Sequence, residues 1–437
     1  MEWQLILLLV VGGLISLMAI GMPVAVAFLM INAVGAFLLW GGGDGLRLLV
    51  DSMLDSVTSF ILVPLPLFAL MGAILFHSGI APRMIDALDK WLGRLPGRLG
   101  LEAVGGAAIL SALTGSDEGT VAILGSVLVP EMQKRGYKKP MSLGPILGAG
   151  GLAVMIPPSG LAVFLAALAQ VSIGRVLLGI IFPGILMGVL YATYIIIRAR
   201  IQPHLAPPYD VTHISLSEKL TATVRHILPV GFIIFMVTGI ILFGIATPTE
   251  AAATGAIASC ILAASYRQLN WRIVKSATFS AISLTGMLFI ILVGSQAFGQ
   301  ILAYTGASRG IVEVVTNLPL NPIFIMIAMQ LIVLLMGTFL SITAVMMVTI
   351  PLFMPIIYTL GFDPIWFSVI YMLNAEMASV TPPFGFSLFV MKGVAPAGTT
   401  MGDVYRAGLP FLGCDTIAMA LIIAFPSIAL WLPGLMR

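Results

Sequence analysis

The sequence predicts an all-α polytopic membrane protein, and three observations carry that fold class. Of its 437 residues, 59% belong to the apolar set AVILMFWYC and only 9% are charged, where a soluble domain carries about 25% charge. The mean hydropathy is +1.11. The apolar residues fall in long runs punctuated by 46 glycines and 27 prolines. No water-soluble fold of this size hides that much apolar surface. A disordered chain, a nucleic-acid binder and a disulfide scaffold are excluded with it. Cys260 and Cys414 both sit in apolar runs and suggest neither a disulfide framework nor a metal site. The formal net charge of +3 comes from loop lysines and arginines, as topology signals do.

A helix crossing about 30 Å of hydrocarbon needs roughly 20 apolar residues, and by that measure the chain holds ten to twelve candidate segments. The first two are Trp3–Ile20 and Met22–Trp40, parted by Gly21-Met22-Pro23, and a third runs from about Val57 to His77. The N-terminus lacks the basic region and cleavage site of a secretory signal and reads as a retained helix. Ala81–Arg98 sets Arg83, Asp86, Asp89, Lys90, Arg94 and Arg98 beside Met84, Ile85, Leu88, Trp91, Leu92 and Leu95. That stripe suits a helix lying along the interface with Trp91 at headgroup level, the competing reading being an ordinary polar loop. Ile227–Ile245 and Thr249–Ser265 lie between two basic loops. Those loops hold Arg198, Arg200, Lys219, Arg225, Arg267, Arg272 and Lys275, which marks their common side as cytoplasmic. The coarse divisions are 1–100, N-terminal helices and the interfacial arm; 101–190, a first broken-helix unit; 191–300, the polar loop and central helices; and 301–437, a second broken-helix unit with a C-terminal helix.

Those two units repeat a pattern. Leu75-Phe76-His77-Ser78-Gly79 with Arg83 resembles Leu302-Ala303-Tyr304-Thr305-Gly306 with Arg309. Gly115-Ser116-Asp117-Glu118-Gly119-Thr120-Val121 leads to Pro130, and Gly337-Thr338-Phe339-Leu340-Ser341-Ile342-Thr343 leads to Pro351. Ile156-Pro157-Pro158-Ser159 matches Thr381-Pro382-Pro383-Phe384. The four cues keep one order, with offsets between 221 and 227 residues. Paired Gly/Pro-interrupted segments in corresponding halves are the best sequence pointer to a secondary transporter's binding site.

The breaks supply chemistry. Ser111, Thr114, Ser116, Asp117, Glu118 and Thr120 cluster between two arms, Val104–Leu113 and Val121–Val129, each about ten residues and too short to span a bilayer. Two such arms make a re-entrant hairpin whose tip offers hydroxyls, carboxylates and carbonyls to a cation, while half-helix N-termini face an anion. The Pro157-Pro158 and Pro382-Pro383 pairs interrupt helices and free carbonyls, with Gly150 and Gly151 before the first and Asn374 and Glu376 before the second. Ionisable residues inside a membrane are costly and functional by default. Here they are Asp117, Glu118, Glu250, Glu376 and Asp415. Glu250, in Thr247-Pro248-Thr249-Glu250, is equally an acid capping the next helix. Adjacent on a helix end, Asp117 and Glu118 point about 100° apart, so one faces the cavity and the other finds a polar partner. An ionised carboxylate buried without such compensation takes up a proton instead. Walker A, H-E-x-x-H and G-x-S-x-G patterns are missing, and His77, His204, His213 and His226 are scattered. An enzyme and an organic cofactor are therefore not expected.

At these motifs the chain resembles the large membrane subunit of the tripartite ATP-independent periplasmic (TRAP) transporters. The stretches that carry the likeness are Gly115–Tyr137, Ile156–Leu186, Ala246–Ile257 and Thr349–Ala395. The resemblance implies an inverted repeat with two re-entrant hairpins and a transport domain moving as an elevator against a scaffold. It implies sodium-coupled import of a small organic acid or related solute across a bacterial inner membrane. Its partners are a periplasmic substrate-binding protein, a separate small four-helix membrane subunit and the lipid bilayer, with no nucleic acid. On this reading the cation site draws on Gly115, Ser116, Asp117, Gly151, Pro157, Gly337, Thr338, Ser341, Thr381 and Pro382. The substrate site draws on Ser111, Glu118, Ser159, Glu250, Asn374 and Glu376. The family's first hairpin tip usually reads Gly-Ser-Ser, and its second often carries an acid after Gly-x-Phe. Here Asp117 and Glu118 stand in the first and Ser341 in the second, which argues against assuming a simple dicarboxylate substrate. A channel, or a cation-coupled transporter working without a binding protein, is the alternative, since channels also use broken helices.

Overall fold

The computed structural model describes residues 2–93, 95–114, 116–207 and 215–436, without the side chains of Ala81 and of 111–114. Arg94, Gly115 and His213 thus lie outside the described residues. Among the described residues all regular structure is helical.

The N-terminal part holds α1 (Trp3–Ala19), α2 (Val24–Leu39), α3 (Gly43–Thr58), α4 (Pro64–His77) and α5 (Ile80–Leu92). Gly21, at φ 87°, makes the turn between α1 and α2, and Pro23 caps the second helix. Next come α6 (Arg98–Thr114), α7 (Asp117–Lys134), α8 (Lys139–Gly150), α9 (Leu152–Met155), α10 (Gly160–Leu168), α11 (Ile173–Gly179) and α12 (Ile181–Ile201). The middle is α13 (Leu216–Ala222), α14 (Leu228–Leu242), α15 (Pro248–Ser265) and the 34-residue α16 (Trp271–Tyr304). The last third is α17 (Ala307–Thr316), α18 (Pro322–Gly337), α19 (Ile342–Thr359), α20 (Pro364–Val380), α21 (Phe386–Val394), α22 (Met401–Ala424) and α23 (Ser427–Gly434).

The span count is lower than composition suggests. Among the described residues six helices are long and apolar enough to cross a membrane, and α8 to α10 make a seventh if their 50° bend is one broken span. Breaks within the apolar runs leave α1, α2 and α18 as shorter apolar helices. The arms of the first hairpin are correspondingly longer than ten residues: α6 has 17 and α7 has 18. Gly105 does not end its helix but lets Leu88 of α5 close on it, since a Cβ there would lie 2.2 Å from Leu88 Cδ2. Pro130 is accommodated inside α7.

The four sequence cues land on like structures. Gly79 (φ 68°) opens the amphipathic α5, and Gly306 (φ 75°) opens the amphipathic α17. Ser116 caps α7 by accepting from the Gly119 N–H, and Ser341 caps α19 by accepting from the Ala344 N–H. Pro130 and Pro351 lie inside α7 and α19. Pro157-Pro158 and Pro382-Pro383 are both cis, preceding α10 and α21.

Two groups of helices face each other across the site. On one side α4 packs along α15 and α16, and α16 along α2 and α3. On the other, α8 lies among α6, α7 and α22, while α20 packs on α18, α19 and α22. The arm α5 lies on α6. Arg98 pairs with Asp89, and the Trp91 indole donates to Thr223 Oγ1 at 2.6 Å, leaving that ring 42% exposed.

Candidate functional site

A cavity of about 690 Å³ lies between these groups, within the size of ordinary small-molecule sites. One wall is α4, from Leu65 to His77, and α16, from Ser280 to Leu288. The opposite wall is made of helix beginnings: Ser116 and Glu118 of α7, Gly160 of α10, Ser341 and Thr343 at α19, and Phe386 of α21. Helix beginnings carry unpaired N–H groups and the positive end of the macrodipole. The wall facing α4 and α16 is therefore built to receive negative charge. Glu118 counters this locally: its carboxylate lines the cavity and accepts from the Ser116 hydroxyl at 2.8 Å. Across the cavity His77 Nε2 and Ser280 Oγ are 3.1 Å apart, linking α4 to α16.

Behind the tip of α7 lies a second, dry cluster. Asp117 turns away from the cavity and is 1% exposed. Ser379 of α20 donates to its Oδ2 at 2.5 Å, and Ser387 of α21 donates to its Oδ1. Ser379 Oγ also lies 3.4 Å from Glu376 Oε1. Glu376 is 1% exposed, its Oε2 has no hydrogen-bond partner, and Gly151 is pressed against it. Two carboxyl groups thus share one hydroxyl in a site closed to water. Buried charge of this kind must be compensated. Carboxylates and hydroxyls are the donors that hard cations take, so the residues present fit a small alkali cation.

The family model described as "Tripartite ATP-independent periplasmic transporter, DctM component" matches residues 11–428. The chain belongs to this TRAP transporter family. It is 32% identical over 392 residues to the C4-dicarboxylate TRAP transporter large permease protein DctM of Pseudomonas aeruginosa, covering 90% of each chain. It is 28% identical to the ectoine TRAP transporter large permease protein TeaC of Halomonas elongata, covering 98% of this chain and 99% of that one. Among solved structures it is similar in fold to the YdaH transporter of Alcanivorax borkumensis, at a TM-score of 0.65 and 16% identity, covering 94% of this chain and 98% of that chain. The chain is thus a multi-pass membrane protein of a transporter family.

Within this TRAP subunit the residues expected from sequence divide by place. Asp117, Gly151 and Glu376 come together in the dry cluster, so Glu376 does not line the cavity as a substrate ligand. Ser116, Glu118 and Ser341 line the cavity. Asp117 and Glu118 diverge, one into the dry cluster and one into the cavity, as their spacing on a helix requires. Pro157 is buried at the first break and Pro382 is half-buried at the second. Gly337 closes on Ala378, whose Cβ would lie 2.5 Å from an added Cβ.

Several expected ligands also hold their own helices together. Thr338 donates to the Leu335 carbonyl and Thr381 to that of Met377, each inside its own chain turn. Ser159 is a buried cap of α10, accepting from the Ala162 N–H. Asn374 donates to the carbonyl and the side chain of Gln330 at 2.6 and 2.9 Å, fastening α20 to α18. Glu250 is exposed and closes a capping box with Thr247, accepting from its N–H and hydroxyl. The cap, one of the two readings the sequence offered, is thus formed. Gly115 and the Ser111 side chain lie outside the described residues. Sequence reasoning missed Ser379 and Ser387 in the cluster and His77, Ser280, Thr285 and Thr343 in the cavity. Of these His77 and Thr343 lay within repeat cues.

Proposed function

We propose that the chain is the translocating subunit of a sodium-coupled TRAP importer of the bacterial inner membrane. The observation that supports this best is the pairing of a solute-sized cavity, walled by helix N-termini, with a buried two-carboxylate cluster one residue away along α7. Sodium would be held by Asp117, Glu376, Ser379 and Ser387, where it neutralises the cluster. These residues tie the start of α7 to α20 and α21. Their arrangement therefore fixes the position of the α7 tip, and with it Ser116 and Glu118 on the cavity side.

The imported solute is a small organic acid or related polar molecule, in line with the C4-dicarboxylate and ectoine named for the relatives. A periplasmic binding protein delivers it, and a small four-helix membrane subunit completes the scaffold. The two units with like breaks form an inverted repeat. Residues 101–190 and 320–395, together with α22, which packs along α8, α12 and α20, move as an elevator against α1, α2, α14 and α15.

The test is reconstitution of all three parts in vesicles. Saturable solute uptake is expected only with an inward sodium gradient and the binding protein present. Full-rate uptake by the purified chain alone sinks the tripartite reading, and non-saturating flux favours the channel.

A further inference from the structure

We propose that the solute accepted by this cavity is a zwitterion: a carboxylate seated at the helix beginnings, and a cationic nitrogen held by Glu118. The inference deepens the importer reading and rests on it. Three observations carry it. Among the described residues lining the cavity there is no lysine or arginine, and the acidic side chain of Glu118 is there. A dianion entering would meet that acid without an offsetting base, whereas a molecule with one positive end is drawn to it. Ser116 supplies the carboxylate with a single donor at 2.8 Å, so Glu118 keeps acceptor capacity for a ligand's N–H groups.

The third observation is the remaining surface. Phe68, Phe386 and the leucines around them make most of the lining apolar, which suits a hydrocarbon body between the two charged ends. Glu118 and the helix beginnings around it then read the two charged ends of one molecule. His77 is the other titratable group on the walls, and it is engaged with Ser280.

Direct binding to the purified full-length chain tests this, because it removes the selectivity of any delivery protein. The probes are leucine, phenylalanine and glycine betaine, each beside its counterpart lacking the cationic nitrogen (4-methylpentanoate, 3-phenylpropanoate and acetate), with succinate as the dianion. At least one zwitterion is expected to bind about tenfold more tightly than its counterpart and than succinate. Glu118→Gln should bring that ratio close to one while leaving the melting temperature within a degree or two. Glu118→Asp should keep the preference. A wild-type chain that binds succinate or the carboxylate-only solutes at least as well as every zwitterion overturns the proposal, as does a preference unchanged in Glu118→Gln. Sodium-driven uptake by the complete assembly is scored separately: a succinate-selective but sodium-driven importer refutes the zwitterion and leaves the transport reading intact.

Discussion

Replacing Gly151 by alanine isolates the buried cluster from the rest of the fold. Gly151 has φ −60° and ψ −26°, which alanine adopts freely, so the backbone itself does not object. The added Cβ would lie 2.5 Å from Glu376 Cγ, 2.9 Å from Cδ and 2.8 Å from Oε1. Ordinary contact begins near 3.5 Å, so the Glu376 side chain must retreat by roughly 1 Å. Its 3.4 Å approach to Ser379 Oγ does not survive such a move. The three nearest atoms all belong to one side chain and none to the backbone, so the stability cost should stay near the low end of the overpacking range, about 1 kcal/mol. The control is Gly148→Ala on the same helix, where the Cβ would meet Phe411 at 2.4 to 2.6 Å. Phe411 is fully buried and wedged against Tyr191 and Tyr194 at ring distances of 5.5 and 5.2 Å. That ring has no room, and the cost should approach about 3 kcal/mol. The assay pairs a melting curve with sodium-dependent uptake. Gly151→Ala is expected to raise the half-saturating sodium concentration about tenfold with little change in melting, and Gly148→Ala to do the reverse. A folded Gly151→Ala protein with wild-type sodium dependence would refute a role for Glu376 in coupling.

Asp117→Asn removes the charge that Ser379 and Ser387 address, and sodium dependence should weaken by about tenfold or more; uptake measured against sodium at two pH values checks it, and an unchanged curve makes the cluster a bystander. Glu250→Gln should leave solute affinity and sodium dependence as they are, because its carboxylate serves the α15 cap; a changed KM in uptake would restore it to the site. Tyr191→Phe strips Asp415 of the hydroxyl that donates to it between α12 and α22, so chemical or thermal unfolding should register a loss of about 1–3 kcal/mol, with the KM for solute unmoved.

What was legible in the sequence was punctuation. Proline and glycine act within a few residues of themselves, so the breaks before α10 and α21 could be placed from spacing alone. The divergence of Asp117 and Glu118 followed from helix geometry. Partnerships were not legible where they join distant parts of the chain. Ser379 and Ser387 lie 262 and 270 residues from Asp117, on helices whose sequence marks neither serine. The hydrogen bond from Asn374 to Gln330, 44 residues away, is equally unmarked in the sequence. Arm length was misjudged because the more polar residues flanking the apolar stretches stay helical, so that α6 runs over Arg98–Thr114 and α7 over Asp117–Lys134.

The long α16 has a consequence for the lipid around it. Thirty-four residues at 1.5 Å each extend about 51 Å, beyond the 40–45 Å of a whole bilayer. Its first and last residues are Trp271 and Tyr304, both well exposed, of the kind that settle at the two water interfaces. The helix must lean to keep both anchors there, and it leans more as the membrane thins. Because Ser280 to Leu288 of the same rod form one wall of the cavity, bilayer thickness becomes a setting of the binding site, and lipid chain length a means of tuning this transporter without touching a residue.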